Sequence, residues 1–198
     1  MKPFFIVLLA LVSGAAAAQN NPVVRLRGSI ESFSPPTLVI KERGGQSFSL
    51  TLPDDARPAE VIKTDITSIQ PGSFIGTAAM PRTDGKLEAM EVVVFPEDAR
   101  GAGEGHYPWD LKPDSTMTNA TVADLVRSGS GRTLTLRYKN GEKTVVVPEG
   151  VPVVTFRLGD RSMIVPGAKV FVVAETPEEG KYFVKRLLIG KNGLQPPM

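Results

Sequence analysis

The sequence predicts an all-β protein made of two tandem small barrels of five strands each, joined by an ordered Gly/Pro-rich connector. Three observations carry that expectation: an internal duplication, apolar residues that alternate at period two, and Gly- or Pro-centred turn signals between short runs.

The duplication comes first because it sets the frame for every other element. "TLVIKERGGQSFSLTLPDDARPAEVI" (37–62) aligns with "TLTLRYKNGEKTVVVPEGVPVVTF" (133–156). "IQPGSFIGTAAMPRTDGKLEAMEVVVF" (69–95) aligns with "IVPGAKVFVVAETPEEGKYFVKRLLIG" (164–190). Pro53 and Pro148 lie 95 apart (148 − 53), Gly72 and Gly167 also 95 (167 − 72), and Thr37 and Thr133 lie 96 apart (133 − 37). So steady an offset marks one module present twice, over 23–95 and 119–192, with 96–118 as connector and 193–198 as a mobile tail.

Along the second copy, "NATVADLV" leads into "TLTLRY", where Leu134, Leu136 and Tyr138 share one face. Asn140-Gly141 signals a two-residue type I′ hairpin, whose central positions both need positive φ. "KTVVVP" returns and stops at Pro148, which cannot donate to a ladder. "VPVVTF", "AKVFVVAE" and "YFVKRLLIG" supply the remaining runs. The first copy repeats the order with "RGSIESF", "TLVIKE", "SFSLTLP", "AEVIKT", "SFIGTAAM" and "LEAMEVVVF", turning at Gly44-Gly45 and at Asp84-Gly85, a second hairpin signal of the same kind as Asn140-Gly141. Only "DARPAEVIKTDITSIQ" has room for a short helical turn. Five short strands per copy, closed to remove exposed edges, correspond to a barrel of OB-like type.

Before the first copy, Lys2, the apolar run "FFIVLLALV" and the small residues "SGAAAAQ" read as a cleavable signal peptide over 1–18. That run is short of the ~20 residues a spanning helix needs. Export to a periplasm is therefore expected, with no membrane-spanning segment. The chain has no cysteine, which removes disulfides, lipid attachment and thiolate metal sites. Lys+Arg against Asp+Glu is 8 to 9 over residues 23–95, 2 to 5 over 96–118 and 12 to 7 over 119–198. The acidic connector is expected to lie over the basic second copy; an anionic ligand on that copy is the alternative.

The motifs "PGSFIGTAAMP", "GAGEGHYPWDL" and "STMTNATV", with "PG" before one strand and "DGK" or "EGK" before the last, resemble a known group of sequences. They are similar to uncharacterised alphaproteobacterial periplasmic proteins with tandem DUF5666-like repeats, over nearly all the mature chain. The resemblance implies a tandem OB-like β-barrel fold and brings no catalytic residues. Some such sequences carry an automatic label of metal ABC transporter permease, which a chain without spanning segments cannot literally be.

The candidate site is "GAGEGHYPWD" (101–110), which holds the one histidine and the one tryptophan of the chain. Its residues Glu104, His106, Tyr107, Trp109 and Asp110 allow two readings. As a clasp or ligand-contacting segment, the glycines let the backbone lie flat and Trp109 fills a pocket between lobes. As a metal loop, Glu104, His106 and Asp110 would be the ligands, with Glu97 and Asp98 near by. One histidine without cysteine is a poor zinc set, so weak binding of a divalent ion is the most this reading asks. No nucleophile motif accompanies His106. "GAGEG" misplaces the third glycine of a dinucleotide fingerprint, and Pro108 sits where its helix would begin. Phe33, Phe48, Phe74, Phe95, Tyr138, Phe156, Phe171 and Tyr182 fall at apolar alternation positions and read as core rather than as stacking platforms for nucleic acid. The function expected is a non-catalytic exported binding or adaptor module for a protein, glycan or ion, with no resident cofactor. A periplasmic metal-handling accessory protein is the rival.

Overall fold

The structure, a computed structural model, describes residues 21–129 and 131–197. The expected signal peptide, 1–18, lies outside the described residues. No helix among them is long and apolar enough to cross a membrane.

The chain is all-β. The first copy forms β1 (Val23–Ser34), β2 (Thr37–Glu42), β3 (Ser47–Thr51), β4 (Ala59–Lys63), β5 (Phe74–Pro81) and β6 (Leu87–Val94). The connector adds β7 (Gly105–Pro108). The second copy forms β8 (Thr116–Ser128), β9 (Gly131–Tyr138), β10 (Gly141–Val147), β11 (Val153–Leu158), β12 (Lys169–Glu178) and β13 (Lys181–Gly190). Each copy thus has six strands rather than five, and the "STMTNATV" segment is already strand. The helical turn expected after Asp54 is limited to 66–68; its counterpart is 161–163. Both are one 3₁₀ turn, capped alike: Asp65 accepts from the Thr67 N–H and Asp160 from the Ser162 N–H, each at 2.8 Å.

The strands do not segregate by copy. All thirteen belong to one sheet, ordered β10-β9-β8-β5-β6-β11-β4-β13-β12-β1-β2-β3, with β7 on β8. Two further pairings, β10 with β6 and β13 with β3, return each end of that path on itself. One circuit is therefore β1-β2-β3-β13-β12, and the other is β8-β9-β10-β6-β5. Each takes three strands from one copy and two from the other. The tandem arrangement, with each copy closing on its own strands, is corrected by this pairing.

β4 and β11 carry the exchange. They pair antiparallel with Val61 opposite Phe156, and each runs parallel to the last strand of its own partner circuit, β13 and β6. Val61 and Phe156 correspond at the duplication's offset of 95 (156 − 61), so a pseudo-two-fold axis passes through this pair. Alternation then sorts the side chains. Leu38, Ile40 and Leu50 pack with Val170, Val172 and Ile189 in one cluster; Leu134, Leu136 and Val145 pack with Ile75, Ala79 and Val92 in another. Burying each such side chain contributes about 1.5–3 kcal/mol. A third, smaller cluster of Val61, Val93, Val154, Phe171 and Leu188 sits at the crossing.

Turn positions agree with the sequence, but the turn type differs at Asp84-Gly85 and at Asn140-Gly141. At the latter the two-residue loop is Lys139–Asn140, because Gly141 already pairs with Tyr138. The non-glycine residues with positive φ among those described are Asp114 and Asn192, so neither this hairpin nor the one at Asp84-Gly85 is of type I′.

Candidate functional site

The connector is an ordered element of the sheet. β7 pairs with β8 from Gly105↔Asn119 to Pro108↔Thr116, extending the stretch of β8 that β9 leaves open. The alternate glycines of "GAGEG" are required by the backbone: Gly101, Gly103 and Gly105 have φ of 82°, 62° and 145°, where a Cβ would be strained. Asn119 ties the loop down. Its Nδ2 donates toward the carbonyls of Ala102 and Gly103 and the Tyr107 hydroxyl, at 3.2, 3.1 and 3.2 Å. Ser115 closes the far end: its hydroxyl donates to the Lys112 carbonyl at 2.7 Å, and its own carbonyl accepts from the Trp109 N–H at 2.8 Å.

Trp109 lies against the cluster at the crossing. The Arg25 guanidinium stacks on its ring at 4.4 Å, and the Tyr107 ring meets it at 6.1 Å and 60°. Its neighbour Asp110 accepts from Arg27 at 2.6 Å and lies 3.8 Å from Arg25. Arg27 is only 8% exposed; a guanidinium so placed needs a nearby anion, and Asp110 supplies it. The acidic connector therefore meets the basic face of β1, in the first copy. It was expected over the second copy, which it also contacts, through β7 on β8 and Glu104 on the Lys139 N–H, while its ion pairs are with the first.

The five residues singled out in the sequence do not converge. Glu104 Oε1 accepts from the Lys139 backbone N–H at 3.0 Å. His106 Nδ1 is 2.8 Å from Thr118 Oγ1, and its ring stacks on Tyr138 at 6.3 Å. Burial, reinforced by the Lys143 ammonium, lowers the His106 pKa, so the imidazole is neutral near pH 7. Asp110 is committed to Arg27. Glu104, His106 and Asp110 thus have separate partners, and no group of three or more His, Asp or Glu among the described residues is placed to hold a metal ion. Tyr107 and Trp109, by contrast, share one cavity.

That cavity has a volume of about 450 Å³, within the range of small-molecule sites. It opens beneath the connector at the pseudo-two-fold crossing. Its apolar walls include Phe95, Phe156, Phe171, Trp109, Tyr107 and Met117. Its charged lining is Arg25, Arg57, Lys185 and Arg186, and no Asp or Glu lines it. Phe95 meets Phe156 edge-on at 5.4 Å. Gly76 leaves room beside them, since a Cβ there would lie 2.5 Å from Asn119 Oδ1 and 2.9 Å from the Phe95 ring.

Sequence reasoning missed most of this lining. Arg25 and Arg27 alternate with Val24 and Leu26 in "VVRLRG", and that was the legible signal: two arginines on one face of a strand otherwise rich in apolar residues. Phe95, Phe156 and Phe171 stood among the residues read as core, which alternation cannot separate from the wall of a cavity. Compared with protein-family models, curated proteins and solved structures, the chain matches none.

Proposed function

We propose that the chain is an exported, non-catalytic binding module whose ligand site is the cavity beneath residues 99–109. The observation that carries this reading is the cavity itself, where aromatic rings and cations line one space without an acid among them. Catalysis by the connector has little support, because Glu104, His106 and Asp110 are engaged with different partners. The same separation weighs against metal handling. In this reading each five-strand circuit is a small OB-like barrel completed by strands from the other copy, as the two returning pairings suggest. The resemblance to DUF5666-like exported proteins and the signal peptide read over 1–18 are consistent with it. The connector is the clasp that roofs the site, with Trp109 as its anchor.

A screen of chemically mixed small molecules against the chain from Gln19 onward tests the proposal. Trp109 is the one tryptophan, so its emission reports on this cavity alone. Compounds that raise the melting temperature should also shift Trp109 emission, and a ligand at 100 times its dissociation constant adds about 2.7 kcal/mol. Hits that stabilise without moving the emission would place binding elsewhere. A Zn²⁺ or Mn²⁺ shift abolished by His106→Ala would favour metal handling instead.

A further inference from the structure

We infer that the ligand of this cavity is an organic anion with a flat apolar body, an aromatic carboxylate, held with its charged end toward Arg57 and Arg186. The inference rests on the binding-module reading and adds the chemical class.

Charge is the first argument. Four cationic side chains line the cavity and no carboxylate does. Arg25 and Lys185 have partial partners outside the lining, Asp110 at 3.8 Å and Glu175 at 3.4 Å. Arg57 and Arg186 form no salt bridge among the described residues, and Asp160, whose carboxylate interacts with the Arg57 charge, does so from a distance and lies outside the lining. Arg57, Lys185 and Arg186 are exposed and Arg25 is half-buried, so the four like charges stand at the cavity's rim and attract an incoming anion toward it. The planar guanidinium fork matches a carboxylate through paired N–H donors.

Unmet hydrogen bonding is the second argument, and it is independent of charge. Trp109 Nε1 is buried without a partner, and indole nitrogen can only donate. The Tyr107 hydroxyl accepts from Asn119, and no acceptor for its own proton is present among the described residues. A buried donor left unpaired costs about 1–3 kcal/mol. Both residues line the cavity, so an acceptor that reaches the Tyr107 hydroxyl, or the Trp109 Nε1 after a small shift of the ring, meets an unpaired donor. A carboxylate is acceptor-only, whereas an ammonium would add donors to a site already short of acceptors.

The shape of the remainder is the third. Phe95, Phe156, Phe171 and Trp109 offer ring faces and edges against which a flat body packs. A glycan would need a dense set of acceptors and donors together, and carboxylate side chains are absent from this lining.

The test uses three isosteric probes on the chain from Gln19 onward: 2-naphthoate, 2-naphthylmethanol and 2-naphthylmethylamine. Binding is read by calorimetry and by the single indole N–H resonance in a ¹H–¹⁵N spectrum. The expected order has 2-naphthoate at least tenfold tighter than the alcohol, with the amine weakest, and the indole resonance moves with 2-naphthoate. In R57Q/R186Q, where no salt bridge is broken, 2-naphthoate should weaken about tenfold while 2-naphthylmethanol is unchanged. Alcohol or amine binding as tightly as the acid overturns the inference. So does an indole resonance that stays in place, or equal 2-naphthoate binding in R57Q/R186Q. If 2-naphthoate fails while neutral compounds from the mixed screen move Trp109 emission, the anionic class falls and the binding module stands. Failure of every compound removes both.

Discussion

The cavity has two walls that the duplication makes equivalent, and their differences locate the site. β1 and β8 correspond at an offset of 92: the bulge falls between Ile30 and Ser32 in one and between Val122 and Asp124 in the other (122 − 30). Arg25 then stands where the second copy has Met117, Arg27 where it has Asn119, and Gly28 where it has Ala120. Across β5 and β12, which correspond at 95, Gly76 faces Asn119 and Phe171 faces Arg27. One wall is cationic and carries a bulky ring; the other is neutral and carries a hollow. The backbone is the same on both sides, so the polarity of the cavity comes from side chains alone. Where the copies agree, as at Leu38 and Leu134, both fully buried, the residues build the clusters. Several of the positions where they disagree, Arg25/Met117 and Gly76/Phe171 among them, line the cavity.

The comparison is broken most severely at Gly28. A Cβ there would lie 2.0 Å from the Lys41 carbonyl oxygen on the paired strand. Gly28→Ala should therefore cost about 3 kcal/mol or more, because backbone cannot yield as a side-chain tip does. Its counterpart Ala120 is fully buried among apolar neighbours. Ala120→Gly should cost only about 1.5 kcal/mol, from one lost methyl and added chain entropy. Urea unfolding of the two variants reads the asymmetry, and equal losses would dissolve it.

A middle-sized effect belongs to the roof. Trp109→Ala removes a ring that packs on the crossing cluster and takes the Arg25 cation. A loss of about 2 kcal/mol is expected for a partly buried tryptophan. That lowers the melting temperature by about 4–8 °C for a chain of this size. An unchanged melting temperature would mean that residues 99–109 do not clasp the two walls.

The smallest effect is a pH dependence. Burial, then the Lys143 ammonium, lowers the His106 pKa below its ordinary value of 6.5. The unfolded chain therefore binds the proton more readily. The contribution is fully present above about pH 6.5 and is lost as pH falls from there toward the folded pKa. His106→Gln should flatten the melting temperature between pH 7 and pH 5 relative to the parent. A slope unchanged by the substitution would assign the acid sensitivity to other groups.

Local features were legible without coordinates. The strands at 37–42, 74–81 and 87–94, the stop at Pro148 and the turns at Gly45, Gly85 and Gly180 follow from alternation and backbone preference. That Trp109 and Tyr107 pack as an ordered segment rather than hang free was legible from their apolarity in a Gly-rich stretch. The cationic wall was not, because Arg25, Arg57 and Arg186 are separated by 32 (57 − 25) and 129 (186 − 57) residues and share no motif; they meet only through pairing of β1 with β12, β12 with β13 and β13 with β4.

The sequence by itself determined that this is a duplicated all-β chain, because residue alternation and turn preferences act over a few neighbours and survive any global arrangement. Which copy donates which strand was decided only in three dimensions. Backbone hydrogen bonds are the same whatever the residue, and a duplication makes β5 and β12, or β6 and β13, fit either circuit. The β4–β11 crossing selects the exchange, sending each chain half across the pseudo-two-fold axis to finish the other's circuit. The cavity lies at that crossing, so it came into being with the exchange and left no contiguous signature along the chain.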